Sequence, residues 1–290
     1  MLSILIPCYN FDIHDLVKDL WRQGKLKEID FEIICIEDGS SEQFLNHKIK
    51  NIQYVTYIIN KENIGRSKIR NLLAKKAKFN WLLFIDCDSK IATNNFLSNY
   101  TEKFNHSNVV FYGKTIYSKK YKKSSTRLHW LYGEKIESKR KKSQFSSHHF
   151  LIQKKIFNQV RFDEKIEKYG HEDTIFLIQL KEKKYKTCYI DNPLLHIGLE
   201  NNEVFIKKTE QAIKNLIILN ESYNLNHLKI IKTYNVFSLL FLHHILLFAF
   251  QLFKKEMLKN LISKKPNMWL FQFYKLGYYC EKLKAFKKTN

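Results

Sequence analysis

Trp81-Leu82-Leu83-Phe84-Ile85-Asp86-Cys87-Asp88 is an apolar run that goes straight into two carboxylates. A short continuous apolar run suits a strand covered on both faces, as in a parallel sheet. The acids then fall at the strand's carboxyl end. Two earlier stretches end the same way. Leu2 to Pro7 runs into Tyr9-Asn10, and Phe31 to Ile36 runs into Glu37-Asp38-Gly39-Ser40, a turn signal. Between them, Ile13, Leu16, Val17, Leu20 and Trp21 are spaced as one helix face. Gln53 to Ile59 reads as a further strand, and Gly65 to Lys78 as a helix with Ile69, Leu72, Leu73 and Ala77 inward.

The first 90 residues therefore alternate strand and helix, which predicts an α/β fold with a doubly wound, mostly parallel sheet flanked by helices. Such sheets bind ligands beyond the carboxyl ends of their strands, where three polar clusters already lie. Downstream the pattern predicts strands at Val109 to Tyr112, Phe145 to Gln153 and Thr187 to Ile190. It predicts a helix at Glu172 to Lys184, a mobile loop or short helices over 114–142, and a helical region from Glu203 onward. Residues 1–200 are expected to form the main domain and residues 201–290 a basic helical extension.

The 290 residues carry a net charge of +22, which points to a polyanionic partner. The charge is concentrated. Segment 114–142 contributes +9 and segment 254–290 contributes +8. Cys8, Cys35, Cys87, Cys188 and Cys280 form no CxxC pair and are expected to be reduced, buried small hydrophobes of a cytosolic protein. No secretory leader is expected from the N-terminal residues.

Asp86 and Asp88, at i and i+2 on a strand-end turn, can converge on one hard cation such as Mg²⁺ or Mn²⁺. Asp-x-Asp is also common in ordinary turns. Glu172-Asp173 opens a helix, where acids equally serve as caps and dipole partners. His196, combined with Asp88, would complete a mixed oxygen and nitrogen site suited to Mn²⁺.

Taken together these segments resemble glycosyltransferase family 2, with its GT-A fold. The resemblance is carried by Ile4-Leu5-Ile6-Pro7-Cys8-Tyr9-Asn10, by Ile36-Glu37-Asp38-Gly39-Ser40 and by Asn63-Ile64-Gly65-Arg66-Ser67-Lys68-Ile69-Arg70-Asn71. Phe84-Ile85-Asp86-Cys87-Asp88 and Phe162-Asp163-Glu164 to Gly170-His171-Glu172-Asp173 complete the order. The resemblance implies an inverting, metal-dependent transfer of one sugar from a nucleotide sugar to a sugar hydroxyl of a cell-surface glycan or glycolipid precursor. It implies that Pro7, Tyr9 and Asp38 line the nucleotide-base pocket, with Asp38 accepting from uracil, and that Arg70 reaches the diphosphate or base. Asp86 would contact ribose or metal, Asp88 the metal, and His196 the metal or diphosphate. Asp173 would be the general base, with Glu172 beside it. A carboxylate in that role accelerates transfer by ~10²–10⁴.

The chain departs from the family at Glu37, Ile69 and Cys87, and at Ser146-Ser147-His148-His149-Phe150 near the expected acceptor region. It lacks a Gln-x-x-Arg-Trp motif and a set of membrane spans, which points away from a processive synthase. The apolar run Val236 to Phe253, followed by Lys254-Lys255, reads as an interfacial amphipathic helix or as a helix buried on the protein or on a second copy. Expected partners are thus a nucleotide sugar, a glycan or lipid-linked acceptor, an anionic membrane surface on the cytoplasmic side, and a homodimer mate. Basic patches with interleaved aromatics also fit a nucleic-acid binder. Acids at the strand ends argue against that reading, and no nucleic acid is expected. A nucleotidyltransferase on a related sheet is the other alternative.

Overall fold

The computed structural model describes residues 1–42, 44–139 and 145–289. Residues 140–142 of the basic segment and the final Asn290 lie outside them. The chain divides into two compact units. The first comprises Met1–Ser118, Glu137–Glu167 and Glu172–Gly198. The second comprises Lys119–Ile136, Lys168–His171 and Leu199–Asn290, so two short insertions from the earlier sequence join the C-terminal helices.

The first unit opens with β1 (Leu2–Cys8), α1 (His14–Leu26), β2 (Phe31–Asp38), a 3-10 turn at Leu45–Asn51, β3 (Val55–Asn60), α2 (Arg66–Lys76) and β4 (Trp81–Ile85). It continues with β5 (Ser89–Ile91), α3 (Phe96–Thr101), β6 (Val109–Tyr112) and β7 (Thr115–Ile116). In the second unit follows α4 (Arg127–Tyr132). The first unit resumes with β8 (His149–Gln153), α5 (Lys154–Val160), α6 (Glu172–Glu182), β9 (Lys186–Tyr189) and β10 (Leu194–His196). A seven-stranded sheet runs in the order β3-β2-β1-β4-β8-β6-β9. Its pairs are parallel except where β8 runs against β4 and β6. A second sheet has the order β5-β10-β7.

Alternation along the strands builds two cores. On β1, Leu2, Ile4 and Ile6 face one side with Leu16, Val17 and Leu20 of α1 and Phe96 and Tyr100 of α3. Leu5 faces the other side, where Ile69 and Leu73 of α2, Phe157 of α5 and Phe176 of α6 gather. Burial on both faces is why these strands read as unbroken apolar runs. Pro7, with no N–H to donate, lies beyond Leu5, where the ladder to β4 has ended, so it faces one neighbour rather than two.

The second unit adds α7 (Asn202–Ser222), α8 (Lys229–Leu239), α9 (His243–Ile262) and α10 (Met268–Thr289) to α4. α10 packs on α7, α8 and α9, with Leu246, Leu247 and Cys280 at one core. The buried Asn202 joins α4 to this set. Its Oδ1 accepts from the Leu128 amide at 2.8 Å, and its Nδ2 donates to the Ile262 and Ser263 carbonyls at 3.3 and 3.2 Å.

Three expectations are corrected. The run Val236 to Phe253 is not one helix: α8 ends at Leu239 and α9 begins at His243, with a bend of 115° between them. Among the described residues no single helix is long and apolar enough to cross a membrane. The expected strand from Phe145 begins only at His149. Finally, Cys188 is exposed and Cys87 half-buried, while Cys8, Cys35 and Cys280 are buried. Cys188 lies on β9, at one end of the strand order.

Candidate active site

The register of the parallel strands aligns their polar ends. Cys8 pairs with Glu37, Asp38 with Asn60, and Leu5 with Phe84, so the turns after β1, β2 and β4 open on one edge of the sheet. At β2 the two carboxylates hold the scaffold together. Glu37 accepts from Tyr57 Oη at 2.6 Å, from Asn46 Nδ2 at 3.1 Å and from Ser40 Oγ. Asp38, 4% exposed, accepts from the amides of Ile64 and Gly65 at 3.0 and 3.1 Å and from Asn60 Nδ2 at 3.3 Å. It thereby fixes the loop that leads into α2. Gly39 makes the turn: its φ is +65°, and a Cβ there would stand 2.3 Å from the Asn63 amide nitrogen.

Arg70 of α2 is 2% exposed. Its Nη2 donates to Asp86 Oδ1 at 2.6 Å, and its Nη1 donates to the Arg66 carbonyl at 3.2 Å and lies 4.0 Å from Glu172 Oε1. Glu172, in the first turn of α6, also meets Arg66 Nη1 at 3.4 Å. One arginine pair thus joins a β4 strand-end acid to the start of α6. Burial opposes ionisation of Glu172, but the Arg66 and Arg70 charges hold its carboxyl below the usual range. Burial pushes Asp86 up against the pull of Arg70, and the neighbouring Asp88 adds to the rise. Cys87, between the two aspartates, packs into the core with Cys8, as that position requires of a non-polar side chain.

Asp88 meets a partner from far along the chain. Its Oδ2 lies 3.0 Å from His196 Nε2. The second sheet makes this contact: β10 runs antiparallel to β5 with His196 opposite Ser89, and the Ile197 amide donates to the Asp88 carbonyl at 2.9 Å. Gly198 allows the approach, since a Cβ there would stand 2.4 Å from Asp88 Cβ. His148 braces the same place, its Nε2 3.0 Å from Ser89 Oγ and its Nδ1 3.0 Å from Thr115 Oγ1. Burial works against charge on Asp88, yet His196 (by charge and hydrogen bond), His148 and Arg66 hold its carboxyl below the ordinary range. Burial likewise works against charge on His196, but Asp88 raises it, with Glu137 and Asp86 adding to the effect.

The donor set tests well for a divalent cation. Asp88 Oδ1 is buried and, among the described residues, meets no hydrogen-bond donor, which leaves it able to coordinate a cation. Among the described residues no three His, Cys, Asp or Glu side chains stand close enough to hold a metal by themselves.

The other expected residues are placed more loosely. Tyr9 is 51% exposed beyond β1, and Pro7 is half-buried. Asp173, one residue after Glu172, accepts from the Thr174 amide at 2.7 Å at the start of α6. The structure therefore brings Asp86, Arg70 and Glu172 into one network and Asp88 and His196 into another. Gly198 and the bracing role of His148 were not legible in the sequence, because they depend on pairing between distant strands.

The model of the family described as Glycosyl transferase family 2 matches residues 3–167. A poly(ribitol-phosphate) beta-glucosyltransferase of Bacillus spizizenii is 32% identical over 118 residues, 38% of this chain and 18% of the relative. The chain spans less than a third of the length of the curated relatives it matches. Among solved structures, the mannosyltransferase PcManGT of Pyrobaculum calidifontis, in complex with GDP-Man and Mn²⁺, superposes with a TM-score of 0.57 at 10% identity, over 98% of this chain and 86% of that one. S. aureus TarS in complex with UDP gives a TM-score of 0.52 at 16% identity, over 100% and 92%. Both likenesses are of fold.

Proposed function

The chain belongs to glycosyl transferase family 2, and from that premise we propose that it moves one sugar from a UDP-linked donor to a hydroxyl of a glycan or lipid-linked acceptor, inverting the anomeric carbon. The observation that carries the metal-dependent reading is the Asp88–His196 pair, with its spare buried carboxylate oxygen at the carboxyl edge of the sheet. The Mn²⁺ named with one neighbour and the UDP named with another support it.

Asp88 and His196 would hold Mn²⁺ or Mg²⁺ against the donor diphosphate, while Asp86, held by Arg70, would face the ribose. When bound, the cation neutralises charge on the departing nucleotide. Arg70 fixes Asp86 in place and brings positive charge to the same edge. Pro7 and Tyr9 flank the nucleotide, and Asp38 holds the loop at 60–65 from which base and ribose are approached. Asp173 accepts the proton of the acceptor hydroxyl as that oxygen bonds to the anomeric carbon and the bond to the diphosphate breaks. Glu172, tied to Arg66 and Arg70, keeps the start of α6 facing this edge.

Calorimetric titration of UDP, with and without Mn²⁺, tests the donor site. Wild-type protein is expected to bind UDP in a metal-dependent way, and Asp88→Asn to lose that dependence. Asp173→Asn is expected to keep UDP binding while UDP release from UDP-glucose in the presence of acceptor falls by ~10²–10⁴. Unchanged metal-dependent binding in Asp88→Asn would remove the proposed metal site, and full turnover in Asp173→Asn would remove the proposed base.

A further inference from the structure

α9 is apolar on more than one side. Leu246, Leu247 and Phe250 are buried within the helical unit, while Ile245, Phe248 and Leu252 stand exposed, Phe248 at 68%. At the bend itself Leu239 and Phe241 are exposed too, at 79% and 80%. A helix hydrophobic all round is normally buried, and a soluble surface seldom gathers so many large apolar side chains.

The bend is locally built. The Phe241 amide donates to the Ser238 carbonyl at 3.0 Å and the Leu242 amide to the Phe237 carbonyl at 2.8 Å. These two bonds close the end of α8 around a residue in the left-handed region, and Phe241 has φ +58°. Glycine is the usual residue there. A phenylalanine is sterically disfavoured at that φ, and this one is almost wholly exposed, so packing inside the unit does not account for it.

Positive charge rims the same corner. Lys284 and Lys287, near the end of α10, lie close enough to His243 at the start of α9 for their charges to act on it. Lys284 and Lys288 line a groove with Leu247 and Gln251 of α9 and with Glu281, whose charge is met by Lys254 and Lys282. The segment 254–290 carries ten lysines against two acids. Exposed apolar side chains at the bend, with lysines near the start of α9, match a surface that is anionic outside and hydrocarbon within.

We propose that the α8–α9 corner docks on an anionic lipid bilayer, inserting Leu239, Phe241, Ile245 and Phe248 below the headgroups while Lys284, Lys287 and Lys288 meet lipid phosphates. The two helices meet at 115°, so the corner enters shallowly as a wedge. This docking is independent of the sugar and nucleotide chemistry proposed above.

The test is co-sedimentation of the full chain with vesicles of phosphatidylcholine alone or mixed with phosphatidylglycerol, at low and high salt. Wild-type protein is expected to partition at least about tenfold more strongly onto the anionic vesicles, less so in high salt. Phe241→Ser with Phe248→Ser is expected to reduce binding by about tenfold or more. Phe241→Gly separates docking from folding. It suits the left-handed backbone, so its melting temperature should be maintained or rise while its vesicle binding falls. Equal binding of wild type and the double variant would overturn the proposal. So would an absence of vesicle binding together with a dimer, seen by light scattering, that the same substitutions dissolve; a second copy of the chain would then be what covers the corner.

Discussion

Arg70 Nη2 donates to Asp86 Oδ1 at 2.6 Å from a side chain that is almost wholly buried. Removing that guanidinium would leave Asp86 and Glu172 facing each other's surroundings without their shared cation. Taking one partner from a buried ion pair costs about 3–5 kcal/mol. Arg70→Met is therefore expected to lower unfolding free energy by that order in a denaturant titration, and to weaken UDP binding. A loss below about 1 kcal/mol would mean the network contributes little.

Gly198 is expected to be intolerant of a side chain. Alanine would put its Cβ 2.4 Å from Asp88 Cβ, so Asp88 must move from His196. Gly198→Ala should weaken Mn²⁺-dependent UDP binding by tenfold or more, about 1.4 kcal/mol, in calorimetry. Circular dichroism should still report the wild-type fold. Unaltered affinity would show that the 3.0 Å Asp88–His196 contact is dispensable for donor binding.

Ile64 and Gly65 donate to different oxygens of the Asp38 carboxylate, so Asp38→Asn keeps an acceptor for one amide and turns an NH2 donor toward the other. Amide exchange at Ile64 or Gly65, whichever then faces the NH2, is expected to accelerate by roughly tenfold or more. Mass spectrometry of exchange over 60–66 measures this, and unchanged protection would deny Asp38 its role in holding the loop.

His149 is fully buried against Tyr100 Oη at 2.6 Å, the Lys114 carbonyl at 3.4 Å and the His148 ring. Burial pushes its pKa down to about 4 from 6.5, the Lys114 carbonyl pulling slightly the other way. Its imidazole is neutral in the fold at a pH where the unfolded chain takes up a proton. Stability from this group is thus complete above pH 6.5 and is lost as pH falls toward 4, by about 3 kcal/mol in all. Denaturant titrations of His149→Gln between those limits should show a flatter pH profile than wild type. Parallel profiles would mean His149 is not the group responsible.

The sheet was legible because its central strands are covered on both faces. Leu2 to Ile6, Phe31 to Ile36 and Trp81 to Ile85 announce themselves as apolar runs, and the acids that follow mark the edge where ligands bind. The helix face of Leu16, Val17 and Leu20 was equally plain. β5, β7 and β10 were not, because strands of three, two and three residues carry no period and exist only through their pairing. The neighbourhood of His196 was invisible for the same reason, although its chemistry had marked it. The break at 240–242 went unseen because Leu240, Phe241 and Leu242 are no helix breakers; the turn is set by its hydrogen bonds and by Phe241 accepting a positive φ.

Asp88 and His196 are 108 residues apart in sequence. A ribosome adds about 5–20 residues per second, so roughly 5–20 s separates the emergence of one from the other. The strands β1 to β4 can assemble during that interval, but the acidic edge remains without its histidine until β10 has been made and paired with β5. The nascent chain therefore carries a nearly complete sheet whose cation site is still half-built. A chain ending between residues 190 and 193 would hold all seven strands of the large sheet and lack the histidine that Asp88 meets.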